Sequence, residues 1–215
     1  MLSSAVDDSF NSISVNGDES TSDTTVIVAS NRLPTENKNV TEAEFNKALT
    51  EVMTGIAGDL VRNGEGTGHA MRVEISKFPG TDKEARFLGR WIVNSPLFKC
   101  DVSGNYPNTG RLAGAIRDFM GKFKEDENMP DATLTLGGRA IFAEEMFILE
   151  GDDVERELSD HTKNAQLGDV DDFPCHQKYV EIGVDFGKFG CDGSATVLGS
   201  DLTAEYVSVN ADYRS

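Results

Sequence analysis

Three stretches of this sequence carry residue types able to do chemistry. The first is Asn63-Gly64-Glu65-Gly66-Thr67-Gly68-His69. Glycines flank a single carboxylate, and glycine lets a backbone approach a ligand closely. Glu65 in that setting suits a substrate ammonium, held by charge-assisted hydrogen bonds. The same residues also read as a helix end followed by a tight turn, because glycine is common just past a helix C-terminus. A phosphate loop fits poorly, since no strand leads in and no helix N-terminus follows. The second stretch is Gly104-Asn105-Tyr106-Pro107-Asn108-Thr109-Gly110-Arg111. Asn108 and Thr109 precede a helix, where they could bind a carboxylate with help from the helix dipole or simply cap the helix. The third is the tail from Asp201 to Ser215, with two tyrosines and spaced valines. Most chain ends are polar and frayed, so this one is expected to dock. Docking would turn Asn210 and Ser215 toward a cleft, or only pack the tail.

Other chemistry is poorly supported. His69, His161 and His176 are scattered, and no Ser/His/Asp arrangement can be assembled around them. Cys100, Cys175 and Cys191 are odd in number and widely spaced. That argues against a disulfide framework and for a reducing compartment, with the thiols used in packing. Cys175-His176 lacks a second close pair for zinc. Asp169, Asp171 and Asp172 resemble a calcium loop only in charge, since its glycine and terminal glutamate are missing. No metal site is expected. The formal charge is −17, from 20 basic and 37 acidic residues. Such acidity disfavours nucleic acid and anionic membranes, which require basic patches. It fits a solvated surface, or the attraction of a cationic substrate. No run approaches the roughly 18 apolar residues of a membrane span. Met1 to Asp8 carry two acids and no basic cluster, unlike a signal or transit peptide.

The elements that must position these residues follow from local patterns. Leu2, Ala5, Val6 and Phe10 suggest a helix, and Ser12 to Val15 a short strand. Thr25-Val26-Ile27-Val28-Ala29 is a β-branched run, expected to be a buried strand. Thr41 and Glu44 form a capping box, after which Phe45, Leu49, Val52, Ile56 and Leu60 line one face. Asn63-Gly64 should stop that helix in the left-handed conformation. Met71 to Ser76 alternates as a half-buried strand does. Thr81 with Glu84 starts a second capped helix with Ala85, Leu88 and Ile92 inward. Leu97 to Val102 reads as a strand, Leu112 to Phe123 as a helix and Ala132 to Leu136 as a strand. Residues 150–177 read as an acidic, solvated insertion with a surface helix over Val154–Asn164. Lys178–Phe186 and Ser194–Leu198 read as a hairpin. The loose alternation of strands and helices implies a mixed α/β domain.

Four of these segments, in order, resemble the ornithine acetyltransferase / glutamate N-acetyltransferase family of arginine biosynthesis. Ala5 to Thr24 is similar to the family's helix, strand and "DGDTSTNDT" turn. Gly64-Glu65-Gly66 is the second match. Asn94-Ser95-Pro96-Leu97 and Pro107-Asn108-Thr109-Gly110-Arg111 resemble "NSPL" and "DPNWGR". Asp201-Leu202-Thr203 through Asn210-Ala211-Asp212-Tyr213 to Ser215 is the fourth. The resemblance implies an α+β fold: a layered α/β sandwich of the N-terminal-nucleophile-like kind, with a C-terminal α/β lobe. The division would give residues 1–75 to the sandwich and 76–215 to the lobe. The resemblance further implies a precursor that cleaves itself before a threonine, whose hydroxyl takes the acetyl group of N-acetylornithine and passes it to glutamate. That threonine would lie upstream, so no catalytic residue is expected within this chain. Glu65, Asn210 and Ser215 map to the family's substrate-binding positions. No cofactor is implied, although some members also use acetyl-CoA. The implied partner is the first chain of the same precursor, in a heterotetramer of two such pairs, located in the cytoplasm or, in a eukaryote, the mitochondrial matrix.

The sequence departs from the family in places. Thr67-Gly68-His69 stands where Ala-Thr-Lys is usual, Thr109 where Trp is usual and Ser22 where Asn is usual. These changes leave room for another acyl acceptor. Two alternatives remain at this level: a related self-processing amidase or aminopeptidase that passes the acyl group to water, and a fragment that binds an amino acid without chemistry.

Overall fold

The computed structural model describes residues 2–30, 32, 40–124, 132–149, 151–168, 178–187 and 191–212. In chain order these form α1 (Leu2–Asp7), a 3-10 turn (Phe10–Ser12), β1 (Ile13–Ser14), α2 (Glu42–Arg62) and β2 (Ala70–Phe78). Then come α3 (Asp82–Val93), α4 (Pro96–Ser103), α5 (Thr109–Phe123), β3 (Thr133–Leu136), β4 (Arg139–Ala143) and β5 (Met146–Phe147). The last elements are α6 (Asp152–Asn164), β6 (Val180–Asp185), β7 (Gly193–Ser200) and α7 (Ala204–Ala211). Among the described residues the strands make one seven-stranded mixed sheet, ordered β1-β7-β2-β6-β3-β4-β5.

β2 is the central strand, and its alternation builds both layers. Met71, Val73 and Ile75 are buried in the main core with residues of α3, α4, α5 and α6. Arg72, Glu74 and Ser76 point to the other face, as period two requires. There Glu74, Ser76, Thr133, Thr135, Asp185 and Ser194 line an open cavity of about 680 Å³. α2 crosses part of that face, where Val61 packs with Tyr179 and Leu198. Met71–Ser76 pair in parallel with β6 and antiparallel with β7. The expected division after residue 75 therefore falls inside β2. α3 lies close on β7 because two glycines remove side chains there. A Cβ on Gly199 would sit 2.4 Å from Val93 Cβ, and one on Gly89 2.5 Å from Val197 Cγ2.

Both predicted capping boxes are present. Thr41 and Thr81 each accept from the backbone N–H of the glutamate three residues on, and each glutamate returns to the cap N–H. Several expectations need correction. Leu97 to Val102 is helical: Pro96 occupies the first turn, where proline costs no hydrogen bond, and Phe98 and Val102, four apart, both enter the core. β6 and β7 do not form a hairpin, because β2 lies between them. The link from Asp185 to Gly193 is long enough to span two inter-strand spacings, about 9.6 Å. The insertion is not wholly solvated either, since Val154, Leu158, Thr162 and Ala165 of the α6 segment are buried. Residues 169–177, including Asp169, Asp171, Asp172, Cys175 and His176, lie outside the described residues. Cys100 is exposed, so it does not serve packing as expected.

Two apolar segments predicted to be inward face outward. α2 buries Met53, Ala57, Gly58 and Val61, while Phe45, Val52, Ile56 and Leu60 on the predicted face are about half exposed. Val26, Ile27 and Val28 form no strand, and Val28 is 84% exposed. Burial, not hydrophobicity, decides what these residues contribute to this chain. Leu88→Ala should cost about 3 kcal/mol by opening a cavity in a fully buried site. Val52→Ser, at a position 61% exposed, should stay within about 0.5 kcal/mol. Urea unfolding of the two variants checks this, and a larger loss for Val52→Ser would contradict the placement of α2.

Candidate functional site

The glycine-rich turn leaves α2 at Asn63, whose backbone N–H donates to Asp59 O at 2.9 Å, while Gly64 N donates to Val61 O at 3.3 Å. The left-handed residue of this turn is Gly66, at φ +64°, and not the expected Gly64. Gly64 is small for another reason: a Cβ there would lie 2.8 Å from Thr67 Oγ1. That hydroxyl is buried without a hydrogen-bond partner among the described residues. Gly66 also meets the tail, because a Cβ would fall 2.3 Å from the backbone nitrogen of Tyr206. Any side chain at this position would displace α7.

The tail is held by its first turn. Thr203 Oγ1 accepts from Tyr206 N at 3.0 Å, capping α7, and donates to Gly66 O at 2.5 Å. Asn16 Nδ2 donates to the Tyr206 hydroxyl at 2.9 Å. The rest of α7 is not docked as expected, since none of its residues is buried. Glu65 and Asn210 are both exposed. The Asn210 amide donates to Tyr206 O, one helical turn back, at 2.9 Å. The structure thus ties the turn bearing Glu65 to the helix bearing Asn210 through Gly66, Thr203 and Tyr206. Ser215 lies outside the described residues.

Beneath the turn is a buried polar cluster that the sequence reading missed. Asp201 is 2% exposed and His69 1%. The two Asp201 oxygens meet Gly68 N at 2.9 Å and His69 Nδ1 at 2.8 Å. His69 Nε2 lies 3.1 Å from Asn105 Oδ1. Lys99, also buried, donates to the Val15 carbonyl, which Ser200 Oγ joins at 3.0 Å. Burial pushes the Lys99 ammonium down to about 8, against the pull of the Asp201 charge. The only sequence signal was the departure at His69 itself. Asp201 is 132 residues away, and nothing local pairs them.

The remaining candidates resolve into structural roles. Asn108 caps α5 by accepting from Arg111 N at 3.2 Å, and Thr109 is buried. Arg111 donates to Asp101 Oδ1 at 2.6 Å and to Leu97 O at 3.1 Å. The capping reading therefore accounts for Asn108. His161 Nε2 accepts from Glu181 N at 3.0 Å, and its burial holds its pKa down. Among the described residues no group of three or more His, Cys, Asp or Glu is arranged to hold a metal.

The layered arrangement of helices on a mixed sheet is that of an α+β sandwich of the N-terminal-nucleophile-like kind. It is similar to the crystal structure of the arginine biosynthesis bifunctional protein ArgJ from Bacillus halodurans, with a TM-score of 0.79 at 28% identity. The match covers 99% of this chain and 91% of that one. The chain matches the ArgJ family over residues 1–215 and belongs to it. It is 36% identical to a glutamate N-acetyltransferase of Methanopyrus kandleri over 100% of this chain and 50% of that protein. It is 35% identical to the arginine biosynthesis bifunctional protein ArgJ of Ruegeria pomeroyi over 100% of this chain and 47% of that protein. The chain spans about half the length of these curated relatives.

Lys99 gives the site a pH signature. Its pKa falls from 10.5 to about 8 on folding, so between those values the unfolded chain binds more protons than the folded one. Stability from this group therefore rises with pH across that window and is flat below it. Relative to Lys99→Met, the wild-type protein should gain unfolding free energy from pH 8 to pH 10 in urea titrations. An unchanged difference would contradict the buried ammonium.

Proposed function

We propose that this chain is the substrate-binding part of an acetyltransferase that moves an acetyl group from N-acetylornithine to glutamate in arginine biosynthesis. Family membership over every residue supports the reaction class. The observation that carries the reading is an exposed carboxylate, Glu65, on a turn whose backbone is fixed by the segment bearing Asn210. In this reading Glu65 pairs with the substrate ammonium, while Asn210 and Ser215 bond its polar groups.

The nucleophile in this reading is a threonine at the start of the second chain of a self-cleaved precursor. Its hydroxyl attacks the acetyl carbonyl, and its own α-amino group, with a pKa of about 8, takes the proton and passes it to the departing amine. Ornithine leaves, and the acetyl-threonine ester is then attacked by the amine of glutamate. Acetyl-CoA is a second possible donor. The partner is the first chain of that precursor, and two pairs assemble into a heterotetramer. What supports a partner is the uncovered apolar face of α2, together with the exposure of Val26, Ile27 and Val28. Exposed apolar patches mark interfaces. No helix among the described residues is long and apolar enough to cross a membrane, and the reading assigns the enzyme to the cytoplasm, or to the mitochondrial matrix of a eukaryote.

Steady-state kinetics of Glu65→Gln in the two-chain enzyme test the role of the carboxylate. Losing a charged partner for an ammonium should raise KM for N-acetylornithine at least about tenfold. Unchanged kinetics would remove Glu65 from the site.

A further inference from the structure

His69 sits where four segments converge. Its Nδ1 bonds Asp201, at the end of β7, and its Nε2 meets Asn105, in the loop before α5. Asn105 is itself fixed, at φ +56° and with its carbonyl accepting from Ser159 Oγ of α6 at 3.0 Å. The other Asp201 oxygen holds Gly68 N of the glycine-rich turn. Asp201 N in turn donates to His69 O at 3.1 Å, closing the pair. With 1% of its surface exposed, His69 cannot touch a substrate. It can set where the turn lies.

Resting on the proposed function, we propose that His69 is a positioning residue that fixes the Gly64–Gly68 turn through Asp201, and thereby sets the grip of Glu65 on the substrate ammonium. The chain of contacts runs from Asn105 to the imidazole, to the carboxylate, to the Gly68 amide and so to the turn. If the imidazole is lost, the buried carboxylate loses its Oδ2 partner and reorients toward other donors, which loosens its Oδ1 contact with Gly68 N. Glu65 then spends part of its binding free energy on ordering its own turn, which weakens binding without altering the reacting atoms. Asn105→Gly isolates the outer contact, since glycine keeps the left-handed backbone and removes only the amide that meets Nε2.

A double-mutant cycle in the two-chain enzyme tests this. His69→Asn should raise KM for N-acetylornithine about tenfold and leave kcat within about threefold. In a Glu65→Gln background the same change should move KM less than about twofold, because the two residues act along one path. Asn105→Gly should shift KM in the same direction by a smaller factor, and it serves in place of His69→Asn if that variant does not fold. Equal effects in both backgrounds, or an unchanged KM, would overturn the proposal. Amide hydrogen exchange at Gly68 separates this result from failure of the proposed function. If the wild-type enzyme transfers no acetyl group, that function falls. Faster Gly68 exchange in the variants would still uphold the positioning of the turn, and unchanged exchange would overturn it.

Discussion

A carboxylate removed from water has to be matched by donors, and Asp201 is the buried carboxylate on which the site rests. Leaving it unmatched would cost several kcal/mol. The Gly68 amide and the His69 ring satisfy it, with the Lys99 charge nearby. Gly68 and His69 are neighbours just ahead of β2 and Lys99 lies on α4, so satisfying one side chain joins the end of β7 to the start of β2 and brings it beside α4. The entry to the tail follows from the same point. Two residues beyond Asp201, Thr203 caps α7 and bonds Gly66. The glycine-rich turn is thereby pinned from both ends, and its exposed residue, Glu65, is presented on a fixed backbone.

The sheet gives this arrangement a rigid base and leaves two surfaces unfinished. The main core lies on one side, under α3 to α6. On the other, polar residues of β2, β3 and β6 line an open cavity, and α2 covers only part of the sheet while turning an apolar stripe outward. An apolar stripe left in water is unfavourable by roughly 25 cal/mol per Å², which is what the proposed partner chain would relieve. The function proposed above uses both facts: the substrate-binding groups lie here, and the proposed first chain of the precursor covers the apolar face.

How much of this was legible depended on whether the signal was local. The capping boxes at Thr41 and Thr81, the alternation of β2 and the inward face of α3 are written within a few residues, and all are present. The stripe on α2 and the run at Thr25–Ala29 were correctly read as apolar but wrongly placed, because a pattern states that a surface wants cover and not where the cover lies. α4 was misread because six residues are too few to separate a helix from a strand; Pro96 and the spacing of Phe98 to Val102 were the available clues. The β3–β4 hairpin had a clear marker in Gly137-Gly138, both at positive φ, in the pattern of a tight turn. The site was legible only in part. Glu65 stands out because glycines flank it, whereas the pairing of His69 with Asp201 joins residues 132 apart and leaves no trace in either neighbourhood. The resemblance to a family supplied what local physics could not, namely the expectation that these segments belong to one site.

Acetyl transfer by the full-length gene product, from labelled N-acetylornithine to glutamate, tests the central claim most directly. The account predicts labelled N-acetylglutamate with release of one ornithine per acetyl group, and loss of that transfer when the threonine at the cleavage point is replaced by alanine. Label appearing only as free acetate, or remaining on N-acetylornithine, would contradict it.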